Sequence, residues 1–370
     1  MEENKQRQTA GDNSTQIQAG IVQNFYTNIT GIDESRAREI WREEYAIARR
    51  EWTSEAVEIA DKRVRIFEDK LMPKMVQYDQ SLKVFADPSF QFTLRKAQIA
   101  AASSERIEDY ELLSELLVNR VEQAADRSRR LGIVKAIEVV DQIDEVALIG
   151  LSMVYAISKF LPTSRRLHVG LETLNCLYGK ILSGKQLPEG ALWMEHLDLL
   201  SAIRISEPGL HHFKKLEEYI PERFRIYLEA GIKEDSEEFN QLKKALGRVS
   251  LSTSCFINHP LKPGYLFLNV PRDIQQISIE RVVNGTIVHA PLNDDQRTVI
   301  QEALSKSCSD GSQDRIVLDS FWREWKKYEH LRTVYAWWNS IPGSFEFTPV
   351  GVALSNAFIH GKDPTVPCLY

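Results

Sequence analysis

Thirteen consecutive uncharged residues, Val146 to Ser158 (VALIGLSMVYAIS), lie between Glu145 and Lys159. A helix of that length is too short for a hydrocarbon core, which needs about 20 residues. The stretch therefore predicts a helix buried on all sides in a globular body, with no membrane insertion. Around it the helical period dominates. Asp87-Pro88 places proline at a first helical position, and apolar Phe90, Phe92, Leu94, Ala97 and Ile99 follow. Further amphipathic helices are expected at 107–127, 133–140, 166–182 and 191–203, broken at Leu161-Pro162 and Leu187-Pro188. Together they predict a helical bundle with the uncharged stretch at its centre.

Upstream, Asp33 can cap a helix, and no proline or glycine intervenes before Pro73. Trp41, Tyr45, Ala48, Trp52 and Ala56, then Val57, Ala60, Val64, Phe67 and Leu71, recur at intervals of three and four. This spacing predicts one long amphipathic helix over 31–78, a rod of the coiled-coil kind. The opposite face mixes Arg42, Glu43, Glu44, Arg49, Arg50, Glu51, Lys62 and Arg63, the pattern of a solvated surface.

Residues Thr15 to Ile29 alternate with period two, Ile17, Ile21 and Phe25 on one side and Gln16 and Gln18 on the other. An isolated strand pair is marginal in water, and nothing strand-like follows for a long way. The 1–30 segment is therefore expected to pair with a second copy or a partner protein, the alternative being that it packs back on its own chain. Gln16, Ile17, Gln18, Ile21 and Phe25, with Trp41 and Trp52, are the candidate contact residues.

Near Val249 the composition turns β-branched and aromatic, and Asn284-Gly285 between two alternating runs signals a hairpin. Helices are expected at 294–305 and 320–338. A short strand, Phe345 to Phe347, then leads to Thr348 as N-cap and Pro349 at the first helical position. The expected class is mainly α. A β element (1–30), a long helix (31–78) and a bundle (79–248) precede a winged-helix-like α+β module (249–370).

The formal net charge of −6 excludes a domain-wide basic field, so nucleic acid is not an expected partner. Arg323, Lys326 and Lys327 are the basic residues that would have to supply one. Cys176, Cys255, Cys308 and Cys368 are too dispersed for a CxxC pair and do not suggest a disulfide framework. The polar opening residues lack the apolar core of a signal peptide, so a reduced, cytoplasmic protein is expected. Gly179 to Gln186 (GKILSGKQ) fits GxxxxGK, but Gln186 replaces the Ser/Thr that would hold magnesium. A helical stretch precedes it and Leu187-Pro188 follows, so a glycine-terminated helix explains it better. Glu195 to Asp198 (EHLD) offers acid and imidazole on alternate residues, which point apart on a helix. No metal or cofactor motif occurs, and no cofactor is expected. Cys255 with His259 or His289 is the remaining nucleophile option, although a strand-like setting favours an inert buried thiol. Trp322, Trp325, Trp337 and Trp338 form the densest aromatic group and are expected in the core.

The segments AGDNSTQIQAG, EAVEIADKRVRIFEDKL, DPSFQFTLRKAQ, ELLVNRVEQAADRSRRLGIVKAIEVVDQIDEVAL and FEFTPVGVAL together resemble an uncharacterised bacterial family of similar length. The resemblance spans most of the chain, and its motifs carry no catalytic residue. The opening segment is also similar to short N-terminal elements of bacterial conflict-system proteins, which implies antiviral defence as a setting. The expected function is that of a non-enzymatic homo-oligomer acting through protein contacts, with a possible partner from the same operon. The alternative is an enzyme whose site gathers around Cys255, His259 and His289.

Overall fold

A computed structural model describes residues 32–369, apart from 124–125, 165, 207–212, 225–226, 271–272, 284–285 and 308–313. The Asp33 carboxylate accepts the Arg36 N–H at 2.7 Å and starts α1 (Glu34–Ala48). The single long helix expected here is instead two. A 3₁₀ turn at Arg49–Glu51 ends the first, and the Thr53 hydroxyl accepts the Ala56 N–H to start α2 (Ser54–Tyr78). The chain doubles back. Arg38 pairs with Glu68 at 2.8 Å, Arg49 with Asp61 at 3.3 Å, and the rings of Trp41 and Phe67 lie 5.2 Å apart. The physical reason is that each half carries its own apolar stripe, and folding back lets both pack on the next helix, at Pro88–Ser103. α2 continues through Pro73 to Tyr78.

The helical body continues with α3 (Pro88–Ser103), α4 (Ile107–Glu122), α5 (Arg127–Val139), α6 (Glu145–Lys159), α7 (Leu167–Leu182) and α8 (Leu192–Leu199). Asp87 caps α3 through the Phe90 N–H at 2.8 Å, with Pro88 at its first position. Every residue of α6 from Ala147 to Ile157 is buried, as its unbroken apolar run requires. Strand β1 (Ile203–Ile205) and α9 (Leu216–Arg223) follow, and the chain later returns to this body through α12 (Arg315–Trp325) and α13 (Glu329–Trp338). The indole N–H groups of Trp325, Trp337 and Trp338 donate to the carbonyls of Leu331, Pro188 and Lys214 at 2.9, 2.7 and 2.9 Å. All three rings are buried, the core role expected of them.

Residues 232–303 build a second, smaller core between α9 and α12. It contains β2 (Ile232–Lys233), α10 (Glu237–Arg248), β3 (Phe256–Asn258), β4 (Tyr265–Leu268) and α11 (Asp294–Ser307). The sheet order is β2-β4-β3, all antiparallel. Strands β5 (Ser278–Val283) and β6 (Thr286–Pro291) pair antiparallel from Val283 opposite Thr286 outward, the hairpin expected around Asn284-Gly285. The expected module at 249–370 is thus not one packing unit. Its β-rich part shares a core with α10, while α12, α13 and the last helix belong to the main body. The change in composition at Val249 marks strand formation, not a boundary.

That last helix, α14 (Pro349–Lys362), packs against α4, α5 and α6. Strand β7 (Phe345–Phe347) delivers it by pairing with β1, Ile203 opposite Phe347. The Thr348 hydroxyl donates to the Ser201 carbonyl at 2.6 Å and accepts the Val350 and Gly351 N–H groups, an N-cap as its sequence predicts. Two glycines permit the approach. A Cβ on Gly351 would lie 2.1 Å from the Ala202 carbonyl oxygen, and one on Gly132 would lie 2.8 Å from that of Pro349. No described helix is long and apolar enough to cross a membrane.

The Gly351→Ala and Gly132→Ala variants should each lose roughly 1–3 kcal/mol or more, because backbone must shift to relieve the overlap. Gly247→Ala, in open space on α10, should gain about 0.5–1 kcal/mol. Urea denaturation of the three checks this, and equal stabilities would refute the close approach.

Candidate functional site

The thiol of Cys255 points back to the Ser252 carbonyl at 3.2 Å, and burial pushes its pKa above the usual range. His259 is buried, with both ring nitrogens taken by backbone. Nε2 lies 2.7 Å from the Glu229 carbonyl, and Nδ1 accepts the Leu261 N–H at 3.0 Å. An Nδ1 that accepts carries no proton, so Nε2–H is the donor and the ring is neutral. Burial depresses its pKa in the same direction. His289 is exposed on β6 opposite Glu280, in a different sheet. No hydrogen bond joins Cys255 to either histidine among the described residues, so the three do not assemble a nucleophile and base.

The other motifs resolve into packing. Gly179 lies within α7, where a Cβ would meet the His330 ring at 2.6 Å. Ser183 and Gly184 follow in the left-handed region, with φ of 49° and 77°, and Lys185 pairs with Glu145. This is a helix end, as expected. His196 accepts the Asp144 N–H, whereas Asp198 accepts the Ile205 N–H, so the two serve different neighbours. Of the expected contact residues, Gln16, Ile17, Gln18, Ile21 and Phe25 lie outside the described residues. Trp41 is 1% exposed in the core, and half-buried Trp52 meets the Tyr45 ring edge-on at 6.1 Å.

A cluster of ionisable side chains joins α2, α4 and α14. Lys74 pairs with both Glu111 and Glu115, Lys70 with Glu111 at 3.0 Å, and His360 Nδ1 with Glu115 at 2.7 Å. Glu115 is 4% exposed. Burial pushes its carboxyl up, but the hydrogen bonds from His360 and Lys74 outweigh that and hold it below the usual range. The bond to Glu115 lifts His360 above the ordinary imidazole value against the effect of burial. Burial lowers Lys74, and its two carboxylates more than restore it. Glu122 also faces His360, its pKa raised by burial. Nearby, Cys368 donates to the Asn119 amide oxygen at 3.5 Å, and burial drives its pKa to about 12, so that thiol stays protonated.

Beside this cluster, between α4 and α14, a cavity of about 250 Å³ has Leu112, Ala357 and Phe358 among its walls. A partner for His360 was not legible in sequence, because Glu115 stands 245 positions away. The only local signal was the one-turn spacing of Lys70 with Lys74 and of Glu111 with Glu115. No group of three or more His, Cys, Asp or Glu side chains able to hold a metal occurs among the described residues.

A family model, described by likeness and without an activity, matches residues 31–363, and the chain belongs to that family. No curated protein and no solved structure matches it.

The ionic clamp has a signed pH dependence. The His360 contribution is complete below about pH 6.5 and disappears as pH rises through its elevated folded value. The Glu115 contribution is complete above about pH 4.3 and disappears as pH falls through its depressed value. Replacing His360 by Gln should cost roughly 1–3 kcal/mol at pH 6, and should flatten the loss of stability between pH 6 and 9. Urea midpoints across that range measure both, and an unchanged slope would refute the pairing.

Proposed function

We propose that this chain is a non-enzymatic protein that works through protein contacts, first with copies of itself. The supporting observation is a pair of exposed apolar side chains on α3, Phe92 and Ile99, with exposed Ile47 on the neighbouring α1. Arg95 Nε donates to Glu44 at 2.9 Å, and the Gln98 amide donates to the Trp41 carbonyl at 3.0 Å. These two bonds run α1 and α3 antiparallel. Phe92 and Ile99 share the outer side of α3, two turns apart. Ile47, Phe92 and Ile99 are 43%, 56% and 42% exposed, and the Lys96 ammonium lies 4.6 Å from the Phe92 ring centroid. Large apolar groups clustered on one exposed face favour a contact with protein.

The alternating 15–29 segment supports the same reading, since its strand pattern asks for a second strand. The neutral His259 and the raised Cys255 favour contact over catalysis. A partner from the same operon and a place in antiviral defence rest on the resemblance of the opening segment.

Light scattering after size exclusion tests the proposal on the full chain, a chain starting at Ile32, and the full chain with Phe92→Glu and Ile99→Glu. The full chain should exceed monomer mass, and each alteration should lower that mass or its concentration dependence. Monomers for the full chain and the Ile32 chain alike would overturn the proposal.

A further inference from the structure

The cavity between α4 and α14 has an uneven distribution of charge. Its inner ions are already satisfied. Glu111 is held by Lys70 at 3.0 Å and by Lys74, which depresses its carboxyl in spite of burial. Two further lining residues differ. Glu108, on the first turn of α4, and Lys362, on the last turn of α14, form no ion pair among the described residues. The Lys362 ammonium lies 5.4 Å from the ring centroid of Phe358, on the apolar wall. Leu112, Ala357 and Phe358 of that wall are buried. Gly361 lies beside α4, where a Cβ would make ordinary contact with the Glu111 and Glu115 Cγ atoms at 3.4 and 3.6 Å.

One free carboxylate and one free ammonium, on opposite helices over an apolar wall, define a complement. The matching molecule carries an ammonium, a carboxylate and a compact apolar group. The volume of about 250 Å³ falls below the roughly 300–1,000 Å³ of pockets for drug-sized ligands, which suits a small metabolite. We infer that this cavity binds a free α-amino acid with an apolar side chain. The α-ammonium pairs with Glu108, the α-carboxylate with Lys362, and the side chain rests against Leu112 and Phe358. Charge-assisted bonds at both ends set the orientation, and the buried apolar group adds affinity. Because the two charged contacts come from different helices, such a ligand bridges α4 and α14 and stabilises the joint by mass action.

Isothermal calorimetry and thermal unfolding of the full chain with L-leucine test this directly, with N-acetyl-L-leucine, L-leucinamide and glycine as comparisons. Free leucine should bind saturably and raise the Tm. Blocking its amine, blocking its carboxylate or removing its side chain should each weaken binding at least tenfold. Glu108→Gln should weaken it to the same degree, and so should Lys362→Met; Glu108 is exposed and Lys362 half-buried, so neither change removes a core side chain. Absence of saturable binding by leucine, valine and phenylalanine at millimolar concentration would overturn the inference. So would capped derivatives that bind as tightly as free leucine, or variants that bind like the parent chain.

Discussion

The seating of α14 between α4, α5 and α6 is the constraint on which the rest of the fold depends. Two backbone approaches allow no side chain, Gly351 over the Ala202 carbonyl and Gly132 against Pro349. The β1–β7 pairing, with Ile205 opposite Phe345, fixes where the helix begins. Interiors are packed to crystal-like density, so a helix seated this closely holds its neighbours in register. α6 then has an apolar partner in α14, and its uncharged stretch from Ala147 to Ile157 is buried against protein.

The charged side of that seat is costlier. Glu115 is almost fully buried, and a carboxylate there is tolerated because Lys74 and His360 reach it from two other helices. Removing one cation leaves a partly compensated buried charge, which is more damaging than never having buried the group. Such a cluster specifies which three helices meet more than it adds net stability. Glu111, a member of the cluster, also lines the adjacent cavity together with Glu108 and Lys362.

Much of the fold was legible locally. Asp33, Asp87 and Thr348 each cap a helix through the backbone N–H groups their sequence context indicated, and the 146–158 run is the buried helix that its lack of charge demanded. The break at Thr53 was missed because a hydroxyl cap is a weaker signal than proline or glycine, and the apolar spacing runs across it almost unchanged. The division at 249 failed for a different reason: strand-forming composition reports local conformation, while α10 and α14 choose their cores by long-range packing. The candidate site was the least legible part. His360 and Glu115 share no local pattern, and Cys255 and His259, close in sequence, are directed to separate backbone carbonyls. Sequence proximity is therefore a poor guide to chemistry in this chain.

If α14 is the pin of the structure, it cannot open without the whole body opening. Native-state hydrogen exchange of the intact protein, read at Ala353–Ile359 in α14 and at Ala147–Ile157 in α6, examines that claim most directly. The account predicts that both sets exchange at one slow rate set by global unfolding. Exchange of α14 orders of magnitude faster than α6, with α6 still protected, would contradict it.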